Sequence, residues 1–133
     1  MKKILIVTAD YYKDISLGLL NSTKKKFPRN FMIKVIKVPG VFEIPVTISK
    51  NIKKFDAFIA IGCVIKGKTD HYYFISQAVT SGLMNLSIQS KKPIGFGVLT
   101  CNNLKQARER ALISRKNKGK EIAAGIISII KNK

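Results

Sequence analysis

The apolar residues of this chain fall into short, nearly continuous runs that alternate with segments of helical period. Runs rich in β-branched residues are typical of strands that are buried on both faces of a sheet. They predict four strands, over residues 3–8, 31–38, 55–62 and 93–100. Lys34 and Lys37 interrupt the second run, which predicts that this strand lies at an edge of the sheet.

Helices are predicted between the strands by their period and by their end signals. The first helix spans residues 14–27 and ends before Pro28. The second spans residues 44–54, and Pro45 is acceptable in its first turn.

The next two helices have recognisable caps. Asp70 is a good N-cap for a helix over residues 71–90. Asn103, with Gln106 three residues later, resembles a capping box that opens a helix ending at about Ala111.

A basic, glycine-containing break over residues 115–119 precedes the last helix. The inner side of that helix is predicted to carry Ile122, Ile126, Ile129 and Ile130. Strands that alternate with helices predict an α/β three-layer sandwich of parallel strands, here a single domain over residues 1–133. Because ligands of such sheets bind beyond the carboxyl ends of the strands, a site is expected at that edge.

The net charge of +18 arises from 25 lysines and arginines against 7 carboxylates. Such a charge fits a nucleic acid, a membrane surface or an anionic substrate as the partner. The lysines are spread through every segment of the sequence, however, and arginines are few. We therefore interpret most of the charge as solvated surface, and expect neither a nucleic acid nor a membrane as a partner.

The sequence gives little support for a targeting signal or for a metal site. The first apolar run stops at Asp10, which is too early for a secretory signal, and no run reaches the roughly 20 residues of a membrane span. Cys63 and Cys101 have no second Cys or His at ligand spacing. We expect buried, reduced thiols, no metal site and a cytoplasmic protein.

Residues 62–69, Gly-Cys-Val-Ile-Lys-Gly-Lys-Thr, match the nucleotide-binding pattern G-x-x-x-x-G-K-T between a predicted strand and a predicted helix. Val64 and Ile65 are β-branched and suit poorly a loop whose amides curl around a phosphate. No later strand ends in the aspartate that would hold magnesium. We therefore do not interpret this segment as the loop of a nucleoside triphosphatase.

Several motifs follow one another over nearly the whole chain. They are V-P-G-V-F-E-I-P at residues 38–45, I-G-C-V-I-K-G-K-T-D-H-Y at 61–72, F-G-V-L-T at 96–100, E-R-A at 109–111 and N-K-G at 117–119. Together they resemble the lumazine synthase family. The resemblance implies a flavodoxin-like four-stranded parallel sheet of order 2-1-3-4, flanked by helices.

The resemblance also implies a transferase of riboflavin biosynthesis. In that reaction 5-amino-6-(D-ribitylamino)uracil condenses with 3,4-dihydroxy-2-butanone 4-phosphate to give 6,7-dimethyl-8-ribityllumazine, phosphate and water. Members use no cofactor, and their sites lie between adjacent subunits of a pentamer or its multiples. Riboflavin synthase is a candidate partner.

The resemblance assigns roles to single residues. Those that would contact the pyrimidine or the ribityl chain are Tyr11, Val41, Phe42, Glu43, Val64, Ile65 and, from the neighbouring subunit, Phe96. Those that would contact the phosphate are Gly67, Lys68, Thr69, Asp70 and, from the neighbouring subunit, Arg110 and Lys118. His71 would relay protons during imine formation and phosphate loss, since histidine titrates near neutral pH.

Structural interpretations of the same residues stay open at this point. His71 could be a cap or a surface residue, and Phe42 and Phe96 could belong to the core. Arg110 could pair with Glu109 or Asp70 on the surface.

The chain departs from the family pattern at several positions. Asp10 and Tyr12 replace a common arginine and asparagine, and Lys68 stands where a small or acidic residue is usual. An inactive ligand-binding or shell-forming relative therefore stays open as an alternative. The basic charge leaves an RNA-binding module open as well. Residues 112–116 replace a glycine-containing segment that accompanies shell assembly, so a pentamer is expected, with a decamer or an icosahedral shell left open.

Overall fold

The computed structural model of the chain describes residues 1–111 and 118–132. Its strands are β1 (Lys2–Ala9), β2 (Phe31–Val38), β3 (Ala57–Ile65) and β4 (Ile94–Cys101). All pair in parallel, in the order β2-β1-β3-β4. The expected order is confirmed, and β2 lies at an edge as its two lysines predict.

Five helices of the described residues cover the sheet. They are α1 (Lys13–Lys25), α2 (Ile44–Lys50), α3 (His71–Ser90), α4 (Leu104–Ala111) and α5 (Lys118–Lys131), and a 3-10 turn, Val41–Glu43, precedes α2. Alternate residues of a strand point to opposite faces of a sheet. Ile4 and Ile6 therefore pack in the core under α1, α4 and α5, whereas Leu5 and Val7 pack in the core under α2 and α3. This is the predicted three-layer α/β sandwich.

The start of α4 follows the predicted capping pattern. The Gln106 N–H donates to Asn103 Oδ1 at 2.9 Å, and the Asn102 N–H donates to Gln106 Oε1 at 2.9 Å. Both bonds satisfy amides that the helix itself leaves without a partner.

Two predicted ends are wrong. β3 continues through Ile65 rather than stopping at Gly62, because its ladder with β4 continues, with Val64 opposite Thr100. α2 ends at Lys50, because the following amides bond three residues back, as in the bond from the Asn51 N–H to the Ile48 carbonyl.

The start of α5 also differs from the prediction. The helix begins at Lys118, inside the predicted break, and residues 112–117 lie outside the described part of the chain. Gly119 is buried against α1, where an added Cβ would meet the Ser22 hydroxyl and lie 2.7 Å from the Thr23 nitrogen. This glycine of the N-K-G motif therefore allows α1 and α5 to pack closely.

The predicted inner side of α5 is partly wrong. Ile122 and Ile126 are buried and Ile130 is half-buried, but Ile129 is 54% exposed. Ile129 lies beside Gly95 and Phe96 at the free edge of β4. Its side chain therefore belongs to an outer surface of the protomer.

Candidate active site

Most predicted site residues lie just beyond the carboxyl ends of the strands. Tyr11 follows β1, the turn Val41–Glu43 follows β2, and residues 67–71 follow β3. Since the strands are parallel, these three connections meet at one edge of the sheet.

The 3-10 turn is anchored through its first side chain. Val41 is buried, and an added Cβ on Gly62 would lie 2.5 Å from Val41 Cγ1 and 3.1 Å from Ala9 Cβ. The missing side chain of Gly62 therefore makes room for Val41 against the sheet. Only the backbone groups of Val41 are left to face a ligand.

The other two residues of this turn are accessible. Phe42 is 60% exposed, so its interpretation as a core residue is wrong. Glu43 is half-buried, and both residues line a cavity of about 520 Å³ with Pro45, Val46 and residues of α3. The turn thus offers one aromatic ring and one carboxylate to a ligand.

The connection from β3 to α3 is exposed over residues 66–71. Asp70 occupies the N-cap position as predicted, but its side chain makes no capping bond. Thr69 Oγ1 instead accepts a hydrogen bond from the His71 N–H at 3.3 Å. The first amides of α3 therefore stay near the surface, where the helix N-terminus favours an anion.

His71 is the first residue of α3, and its side chain is exposed. No hydrogen bond within the described residues holds its imidazole, so the side chain does not act as a cap. Lys66 lies at the start of the same connection, with its ammonium 5.6 Å from the centre of the Tyr73 ring. The imidazole is thus free to reach a bound molecule.

The structure does not support a nucleotide-binding loop at residues 62–69. Cys63, Val64 and Ile65 belong to β3 and pair with β4, so they form no loop. Neither Gly62 nor Gly67 has a positive φ. The match to the nucleotide-binding pattern arises because the end of β3 happens to be followed by Gly67 and Lys68.

Val64 and Ile65 are half-buried at the end of β3, and their side chains point to opposite faces of the sheet. Tyr11 is 76% exposed and packs edge-on against Tyr12, with ring centres 4.9 Å apart. Burial, and then Tyr11 and Cys63, raise the pKa of Tyr12. Tyr12 therefore stays a neutral hydrogen-bonding group behind an accessible ring.

Both cysteines are free and buried, as predicted. Burial, and then the neighbouring Cys101, raise the pKa of the Cys63 thiol to about 12. Cys63 is therefore a protonated packing residue at neutral pH.

The three residues expected from a neighbouring subunit form a separate group. Phe96, Arg110 and Lys118 line one cavity of about 300 Å³ at the end of β4. None of the other predicted site residues is among its described lining. Within one protomer, the predicted residues therefore fall into two groups.

Arg110 is held by backbone rather than by a carboxylate. Its Nη1 donates to the Thr100 carbonyl at 3.4 Å and lies 3.6 Å from Cys101 Sγ. No carboxylate among the described residues pairs with it, so the expected surface pair with Glu109 or Asp70 is wrong. The remaining guanidinium donors are available to an anion.

Two polar lining residues of this cavity were not predicted. Thr100 could have been found from the sequence, because it is the last residue of the fourth predicted strand and site residues are expected there. Glu121 pairs with Lys118 at 3.3 Å, three residues away along α5. The spacing is visible in the sequence, but the place of Glu121 in the cavity depends on how α5 meets β4.

Two further observations concern the described residues. No group of three His, Cys, Asp or Glu side chains among them could hold a metal ion. None of their helices has the length and apolar character required to cross a membrane.

The chain is similar to known proteins over its whole length. The sequence model of a family described as 6,7-dimethyl-8-ribityllumazine synthase matches residues 1–133. The chain is 42% identical to the 6,7-dimethyl-8-ribityllumazine synthase of Buchnera aphidicola subsp. Baizongia pistaciae, over 97% of this chain and 86% of the relative. It is 36% identical to the protein of the same name from Campylobacter curvus, with the same two coverages.

Proposed function

Because this chain belongs to the 6,7-dimethyl-8-ribityllumazine synthase family, we propose that it is a transferase of riboflavin biosynthesis with that activity. It condenses 5-amino-6-(D-ribitylamino)uracil with 3,4-dihydroxy-2-butanone 4-phosphate. The family match over residues 1–133 is the observation that carries the proposal. The reaction needs no cofactor, and two free, buried cysteines fit a cytoplasmic protein.

The pyrimidine and its ribityl chain bind at the carboxyl ends of β1, β2 and β3. Tyr11 and Phe42 are exposed rings, and planar aromatic groups suit stacking on a pyrimidine. The half-buried Glu43 carboxylate accepts hydrogen bonds from ribityl hydroxyls. The backbone groups of Val41, Val64 and Ile65 fix the plane of the pyrimidine ring.

The phosphate of the ketone binds at the N-terminus of α3. Gly67, Lys68, Thr69 and Asp70 are exposed there, and the first helical amides are near the surface. Lys68 adds a positive charge, and an open Gly67 lets the phosphate approach the backbone.

His71 stands beside this phosphate and moves protons. The amino group of the pyrimidine attacks the ketone carbonyl, and water leaves as the imine forms. Phosphate then leaves, the ribitylamino nitrogen attacks the remaining carbonyl carbon, and a second water leaves as the ring closes. An exposed imidazole without a fixed partner can donate and accept protons at both steps. Holding both substrates in register supplies much of the remaining acceleration.

A neighbouring copy of the chain completes the site with Phe96, Arg110 and Lys118. Arg110 is oriented by the Thr100 carbonyl and carries unused donors, which suits a bidentate contact with phosphate. Because these residues line a different cavity from the first group, a head-to-tail ring of subunits accounts for both groups in one site.

The surface between α3 and β4 supports this assembly. Tyr73, Met84 and Phe96 are exposed apolar side chains that line two shallow clefts there. Ser76 Oγ borders the same surface and has no hydrogen-bond partner among the described residues. Contiguous exposed apolar surface of this kind is typical of a protein interface. Riboflavin synthase is the further partner that this function implies.

The test is product formation by the purified oligomer. The protein is mixed with both substrates, and the fluorescent lumazine and free phosphate are followed together. We expect both products to appear at equal rates. A correctly folded oligomer that binds the pyrimidine tightly without turnover would establish the inactive relative instead, and nothing in the comparisons favours that alternative.

A further inference from the structure

The edge of the sheet opposite the candidate active site collects positive charge. Because all four strands are parallel, the start of β1 and the connections that enter β2, β3 and β4 lie at this amino edge. We call the basic residues of these segments the basic end. They are Lys2, Lys3, Lys24, Lys25, Lys26, Arg29, Lys50, Lys53, Lys54, Lys91 and Lys92.

Hydrogen bonds join three of these segments, and the start of β2 lies beside the start of β1, with Lys2 opposite Phe31. The Lys3 N–H donates to Asp56 Oδ2 at 2.8 Å, and the Asp56 N–H donates to the Lys3 carbonyl at 2.8 Å. Lys92 Nζ donates to the carbonyls of Ile52 and Phe55 at 2.6 and 2.9 Å. The starts of β1, β3 and β4 are thereby tied together, and every cation of the basic end except Lys92 is exposed.

The carboxylates are almost absent from this surface. Of the 7 in the chain, Asp56 alone lies at the amino edge, and Lys3 already occupies one of its oxygens. The others follow the carboxyl ends of strands: Asp10, Asp14, Glu43, Asp70, Glu109 and Glu121. The carboxylates are therefore segregated from the basic end, although cations lie at both edges of the sheet.

Helix ends explain only part of this segregation. Cations near a helix C-terminus are stabilising, which accounts for Lys24, Lys25 and Lys50. Lys3 lies in a strand and Lys53 in a connection, where no helix end requires a positive charge. A dense set of like charges repels itself, and a bound polyanion relieves that repulsion.

We propose that the basic end binds the phosphate backbone of nucleic acids without sequence preference. The cations are almost all lysines, which act as point charges on phosphates rather than as readers of base edges. Phe27, Phe31 and Phe55 at this end are buried or half-buried, so they offer no stacking platform for bases. This binding is separate from catalysis and replaces our sequence-based expectation of no nucleic-acid partner.

The experiment uses the purified oligomer and a fluorescent single-stranded RNA of about 20 nucleotides. Anisotropy is measured between roughly 50 and 200 mM salt. One variant carries Lys25→Gln, Lys26→Gln, Lys53→Gln and Lys54→Gln. A control with the same change of charge carries Lys13→Gln, Lys34→Gln, Lys37→Gln and Lys105→Gln, which are exposed and lie outside the basic end. Circular dichroism and oligomer mass verify that both variants fold.

We expect the wild-type protein to bind with a Kd of about 1 μM at low salt and to lose affinity steeply as salt rises. The basic-end variant should bind at least about tenfold more weakly, with a slope of log K against log salt that is shallower by about 3. The control should change affinity by less than about twofold. Equal losses in both variants, no binding at low salt, or binding to phosphatidylserine vesicles without binding to RNA would each overturn the proposal.

Discussion

His71 is the only histidine of the chain, and it stands at the first position of α3 with an exposed side chain. Replacing it with Ala removes the proposed proton relay while leaving the helix start intact, because its capping contact uses the backbone N–H. We expect kcat to fall by about 100-fold with little change in the KM of either substrate. A steady-state assay measures this, and an unchanged kcat would rule out the role.

Cys63 illustrates how position decides the chemistry of a side chain. Burial beside Cys101 raises its pKa to about 12, so the neutral thiol is favoured in the folded state. At pH 8 its thiolate fraction should be roughly a thousandfold lower than that of an ordinary thiol. Iodoacetamide should therefore leave Cys63 unmodified in the native protein and label both cysteines after unfolding in urea. Rapid native labelling of Cys63 at a rate that levels off near pH 9, as for an ordinary thiol, would contradict this expectation.

At the scale of an element, Gly62 sets the distance between the 3-10 turn and the sheet. Gly62→Ala would bring a Cβ to 2.5 Å from Val41 Cγ1, and this overpacking should lower the free energy of unfolding by about 1–3 kcal/mol. Gly67→Ala is the matched control, since nothing lies within 4 Å of its Cβ position and its φ is not positive. Thermal or urea unfolding of the two variants measures the difference. Equal stabilities would mean that the turn is not held by this contact.

At the scale of the whole molecule, the two groups of site residues predict complementation between subunits. His71→Ala and Arg110→Ala should each be nearly inactive at low ketone phosphate, because every site lacks one residue. When both variants are co-expressed with different tags, about a quarter of the sites in a mixed ring regain both residues. Activity should rise accordingly in oligomers that carry both tags.

Purified mixed oligomers without any recovered activity would indicate that each site is built from one chain. The matched control is co-expression of two differently tagged copies of the His71→Ala variant. No site in those oligomers can regain an imidazole, so their activity must stay at the level of the single variant.

The sequence alone determined the elements and their order along the chain. Apolar runs of β-branched residues are local, so the strands, the long helix α3 and the edge position of β2 could be predicted. The motif residues could also be identified from the sequence, because each motif is a short continuous segment. The ends of β3 and α2 could not be predicted from the sequence. A strand or helix ends where its backbone hydrogen-bonding pattern ends, and that depends on the surrounding structure.

Only the tertiary structure decided how distant residues share space. It separated Phe96, Arg110 and Lys118 from the β1–β3 side of the site, exposed Ile129, and buried Gly119 against α1. It also brought lysines from four segments to one edge of the sheet. The physical reason is the parallel sheet. It places the carboxyl ends of the strands at one edge and the C-termini of the connecting helices α1, α2 and α3 at the other, whatever their separation along the chain.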